Sequence, residues 1–119
     1  MQILLVKDVI GDSLAVTSEK GERVFNIIKE NIENNQITLL DFEGITDLIS
    51  AFSNTAIGQL YDIADAETLK KFVKVRPETL HPADRKTIER SISNSKNRRK
   101  QDKEFRKLLA SEMDKELGI

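Results

Sequence analysis

The chain reads as an α/β domain: a small, mostly parallel sheet with helices packed on it and a long C-terminal helical tail. Three observations predict this. Short aliphatic runs at residues 3–6, 37–42 and 72–75 have the length and composition of strands. Between them lie two stripes at helical spacing: Val24, Ile27, Ile28 and Ile32, then Phe52, Ala56, Leu60 and Ile63. Helices that alternate with strands imply parallel pairing and right-handed crossovers.

In chain order, Ile3, Leu4, Leu5 and Val6 form the first strand. Gly11-Asp12 marks a turn, and residues 14–16 suit a short second strand paired to the first. Thr17 or Ser18 is placed to cap the first helix. That helix carries the Val24 stripe, while Arg23, Lys29, Glu30 and Glu33 fall on its wet side. Asn34-Asn35 ends it, because Asn tolerates the left-handed conformation of a helix terminus.

The organising unit follows at residues 37–61: a strand, a loop and a helix. Ile37, Leu39, Leu40 and Phe42 show no alternation, which suits a strand covered on both faces. Asp41 sits at its C-terminal end, where open α/β sheets bind ligands. The competing role for Asp41 is to accept backbone N–H bonds in the loop. Ser50 precedes the second apolar stripe and is placed as its N-cap. Gly58 falls inside that helix, where it costs about 1 kcal/mol against Ala, so something should pack closely against it.

The sequences LDFEGI, ISAF and AIGQLY in this unit resemble the STAS-like domain family of unknown function. That family is a bacterial relative of the STAS domains of anti-sigma factor antagonists. The likeness extends upstream through SEKGERVFNIIKENI and covers roughly the first 80 residues. It implies a STAS-like sheet and a non-enzymatic, regulatory protein–protein interaction domain. It also implies a partner of the GHKL-type ATPase or kinase class, which phosphorylates a hydroxyl at the helix start in the better-known relatives. The residues this brings forward for partner binding or phosphorylation are Asp41, Ser50, Ser53 and Asn54. The family pattern has two adjacent hydroxyls before the Phe; here they are Ser50 and Ala51, and Ala51 falls on the phosphorylated position. Ser50 and Ser53 are the hydroxyls left at hand.

Phe72, Val73 and Val75 predict a third main strand, stopped by Pro77. Residues 80–93 predict a further helix with Pro82 in its first turn. These limits divide the chain into a STAS-like α/β domain at 1–92 and a basic spacer with an amphipathic helix at 93–119. The spacer, SNSKNRRKQDKE, holds no large apolar residue. Phe105, Leu108, Leu109 and Met113 then restore a helical stripe. Three readings stay open for this tail: it folds back on the sheet, it pairs with a second copy or another protein, or its basic segment touches nucleic acid. The first two are favoured, because charge runs are usually solvated faces and no aromatic residues interleave here for base stacking.

Composition narrows the chemistry. The 119 residues fit one domain, and the net charge of −1 gives no global pull toward nucleic acid or anionic lipid. No cysteine is present, which removes disulfides and thiolate catalysis. His81, the single histidine, has no identifiable orienting partner. No glycine-rich phosphate loop occurs, and the acidic residues near the central unit show no diagnostic metal spacing. The expectation is therefore no catalytic residue, no metal and no cofactor. The first residues lack a signal-peptide pattern and no run is long enough to cross a bilayer, so a cytoplasmic protein is expected. The alternative to a regulatory domain is a structural adaptor that oligomerises through its C-terminal helix.

Overall fold

The computed structural model describes the backbone of residues 1–116 and the side chains of residues 1–104, 107 and 108. Its centre is β3 (Thr38–Asp41), flanked by β1 (Gln2–Leu5) and β5 (Val73–Val75) in a three-stranded sheet of order β1–β3–β5. Both pairings are parallel, with Leu4 opposite Leu40 and Leu40 opposite Val75. The mostly parallel α/β architecture read from the alternating stripes is the observed one.

The sheet is layered on one side only. Residues of like register share a face, so Leu4, Thr38, Leu40, Val73 and Val75 point one way. Those of β1 and β3 are buried apart from Gln2, and those of β5 are half-buried. Ile3, Leu5, Leu39 and Lys74 point the other way. Ile3 is 49% exposed and Leu5 44%. That face is about half exposed on β1, while on β3 itself Leu39 is half-buried and Asp41 buried, so the expectation that β3 is covered on both faces holds only in part. An apolar run shows the same pattern whether its second face is sealed or partly open.

α2 (Ser18–Glu33) lies on the inner face through Val24, Phe25 and Ile28. Thr17 caps it, its Oγ1 accepting from the Lys20 N–H at 3.2 Å. Asn35 takes the left-handed conformation (φ 55°) just past its end, as expected of the Asn pair. Asn31 extends the buried stripe with a polar group. Its Nδ2 donates to Thr38 Oγ1 at 2.9 Å and to Gln2 Oε1, so the polar start of β3 is satisfied inside the core.

Several local elements differ from the expectation. The run at residues 3–6 does not continue as strand: α1 (Val6–Ile10) begins at once, and Val6 and Ile10 are buried one turn apart. β2 (Leu14–Ala15) pairs with β4 (Asp47–Leu48) in a separate parallel ribbon, not with β1. α1 intervenes between β1 and β2 and carries the chain away from the sheet. α3 (Ser50–Ala56) is capped by Ile49, with no side-chain cap bond, so Ser50 is the first helical residue and not the N-cap. α3 is also shorter than its stripe suggests. Beyond Ile57 the chain tightens into a 3-10 turn, Gly58–Asp62. A further helix, α4 (Ala66–Phe72), precedes β5, capped by Asp65 accepting from the Thr68 N–H at 2.8 Å.

One continuous helix, α5 (Pro82–Glu116), follows. A boundary at residue 93 falls inside it. Its inward residues are Ile88, Ser91, Ile92 and Ser95. The two serines are small enough to let the helix approach Gly58 closely. A Cβ at Gly58 would lie 2.8 Å from Ser95 Oγ, so the packing anticipated there is against α5. A similar approach joins α2 to α3, where a Cβ at Gly21 would lie 2.7 Å from the Phe52 carbonyl. Arg99 completes the seat, its Nη1 donating to the Ala64 carbonyl at 2.9 Å and to that of Tyr61. Of the tail residues in the apolar stripe, Leu108 is 62% exposed. Phe105, Leu109 and Met113 have side chains outside the described residues.

Candidate partner-docking face

The site begins at the C-terminal end of β3. Asp41 is only 7% exposed. Its Oδ1 accepts from the Glu43 N–H at 2.9 Å, and its Oδ2 accepts from Arg76 Nη1 at 3.0 Å. The next residue, Phe42, donates its N–H to Thr79 Oγ1 at 3.0 Å. The strand end is therefore closed by the segment after β5. Asp41 fixes the start of the loop and is turned toward its own chain, in keeping with the backbone-binding role weighed for it.

The loop then enters the β2–β4 ribbon. Thr46 N–H reaches the Ser13 carbonyl at 2.9 Å, and Ile49 N–H reaches the Ala15 carbonyl at 3.1 Å. Ala15 and Leu48 are paired and buried. By strand alternation Leu14, Asp47 and Ile49 fall on the outward side. Leu14 is 40% exposed and Ile49 48%. Ser50 and Ala51 continue this exposed edge into the first turn of α3. The ribbon and the helix start thus form one surface: two aliphatic side chains beside a free hydroxyl and a carboxylate.

The four residues singled out in sequence separate here. Ser50 lies on this surface. Ser53 is fully buried beneath it, and its Oγ has no hydrogen-bond partner among the described residues. Burial places Ser53 out of reach of a partner or a kinase, which corrects its nomination. Asn54 is one turn beyond Ser50 on the exposed side, and its Oδ1 accepts from Ser91 Oγ of α5 at 2.7 Å. Asp41 is internal. Leu14 and Ile49 went unnoticed in sequence. Ile49 offered a signal, since it lies in ISAF and off the buried stripe; Leu14 offered none.

The first turn of α5 borders β4. Burial pushes the Asp84 carboxyl above its ordinary value; His81 opposes this, and the Asp47 charge adds to it. Among the described residues, no group of three or more His, Cys, Asp or Glu side chains could hold a metal ion. No helix among them is long and apolar enough to cross a membrane.

A one-sided parallel sheet with a helix-bearing crossover on each side of β3 defines a small α/β domain. Its family follows from the sequence match: residues 20–77 match the model of the STAS-like domain of unknown function (DUF4325). That stretch contains most of α2, all of β3, β4, α3, α4 and β5, and the Asp47, Ile49, Ser50 and Ala51 part of the surface; Leu14 lies before it. The chain therefore carries a STAS-like domain, as the LDFEGI, ISAF and AIGQLY segments implied. No curated protein and no solved structure matches the chain.

Proposed function

We propose that the chain is a non-enzymatic regulatory module that binds a partner protein through Leu14, Asp47, Ile49, Ser50 and Ala51. The partner class follows from the family likeness: a GHKL-type ATPase or kinase of the bacterial cytoplasm. The observation that carries the reading is the outward surface at the start of α3, where exposed Ile49 and Leu14 accompany an accessible Ser50. Exposed aliphatic groups rimmed by polar residues are the usual make-up of a protein contact. A phosphate on Ser50 would add up to two negative charges beside Asp47 and reverse the character of this surface. Ser50 thereby takes over the switching role that Ala51 cannot fill.

The test is affinity capture from the native cell with the full chain, then with Ile49→Asp, Leu14→Asp and Ser50→Asp. Ile49→Asp is expected to reduce capture of an ATPase by roughly tenfold or more, the loss typical of a central apolar contact. Retention of every captured protein by all three variants would rule out this surface.

A second reading is favoured by one observation, the exposure of Leu108 on the protruding part of α5. Here the helix is the working part of an oligomerising adaptor. Removing residues 105–119 would then abolish assembly, whereas the regulatory reading has partner capture persist.

A further inference from the structure

A cavity of about 390 Å³ opens between the inner sheet face, α4 and α5. It is in the lower part of the range of small-molecule sites. Its floor and walls are Leu40, Leu60, Leu69, Val73, Ile88 and Ile92. The fold explains why it is there. α5 is drawn toward the 3-10 turn at Gly58 and held by Arg99, while α4 contributes only Leu69 to the core. The two helices straddle β5 without filling the space above it. The depth is apolar, and the charged groups stand at the mouth: Lys70 and Glu67 on α4, Lys96 on α5. The Lys96 ammonium lies 5.8 Å from the centre of the Tyr61 ring. Tyr61 also lines the cavity, and no described residue hydrogen-bonds its hydroxyl.

We propose that this cavity binds a compact apolar monocarboxylic acid, such as a medium-chain fatty acid, with its tail on the sheet and its carboxylate between Lys70 and Lys96. Three features point to that class. The walls carry no charge, so the buried part of the ligand is hydrocarbon. The mouth has two ammonium groups against one carboxylate, so it favours a single negative head. Tyr61 lines the cavity, and its phenol, protonated at neutral pH like any tyrosine, is a donor for the head group. The site lies among β3, β5, α4 and α5, apart from the Ser50 surface, and does not depend on the function proposed for that surface.

Octanoate, octan-1-ol and octylammonium are the probes, titrated into the full ¹⁵N-labelled chain and followed by amide shifts. Octanoate is expected to give saturable shifts at Leu60, Leu69, Val75 and Ile92. Octan-1-ol should bind about fivefold more weakly, the worth of two partly exposed charge contacts. The double substitution Lys70→Gln, Lys96→Gln should bring octanoate to the level of the alcohol with an unchanged circular dichroism spectrum. Ala66→Phe, at the exposed lip, should weaken all three. Equal affinity for octanoate and octylammonium would overturn the head-group assignment. Absence of saturable shifts, or shifts confined to Ile3, Leu5 and Leu39, would overturn the site. Shifts of the cavity amides that instead track protein concentration would identify a second copy as occupant and overturn the ligand.

Discussion

The two faces of the three-stranded sheet carry similar side chains and opposite environments. On the inner face Leu4 and Leu40 lie under α2 and the Phe52 helix, and even the polar Thr38 is sealed by Asn31. On the outer face Ile3 and Leu5 stand about half exposed. One polar tie crosses that face at its end, from Arg76 to Asp41. The comparison separates composition from location. Leucines one residue apart, Leu39 and Leu40, have different physical roles because the strand period assigns them to different layers.

The comparison is broken most severely at Leu40. Leu40→Ala removes a fully buried side chain from the central strand and should cost about 3–5 kcal/mol, read as a lower urea midpoint. Next comes Gly21→Ala, which tests what brings the inner layer so near. The added methyl would meet the Phe52 carbonyl at 2.7 Å and Thr55 Cβ at 3.0 Å, and backbone cannot rotate aside. A loss of about 2–3 kcal/mol is expected from the same unfolding measurement. The smallest effect sharpens the other side. Leu5→Thr on the outer face should change stability by no more than about 0.5 kcal/mol, since little area leaves water there. A loss close to that of Leu40→Ala would mean that the outer face is covered in solution.

Much of this arrangement is legible in the sequence alone. The Val24 stripe specifies α2 because sixteen residues span several helical periods. Gly58 signalled a close neighbour because nothing else favours glycine there. What could not be read was short or two-sided. β2 and β4 have two residues each and therefore no period. α1 hid behind a β-like aliphatic run, and α4 buries only Leu69. The partly open outer face of the sheet left no trace because Ile3 and Leu5 are as apolar as the buried Leu4 between them. At the candidate site Ser50 was found and Ser53 misjudged, since three residues along a helix turn a side chain most of the way round but not always outward. Ile49 and Leu14 escaped because their exposure depends on a ribbon joining segments more than thirty residues apart.

The tight crossing of α5 at Gly58 has a mechanical side. At 1.5 Å per residue the helix is about 52 Å long, and it is gripped between Ile88 and Arg99. Some 25 Å of rod extends past that pivot, so a tilt of about 10° there swings the far end by roughly 4 Å. The Asn54–Ser91 bond ties the pivot to the same short helix that presents Ser50.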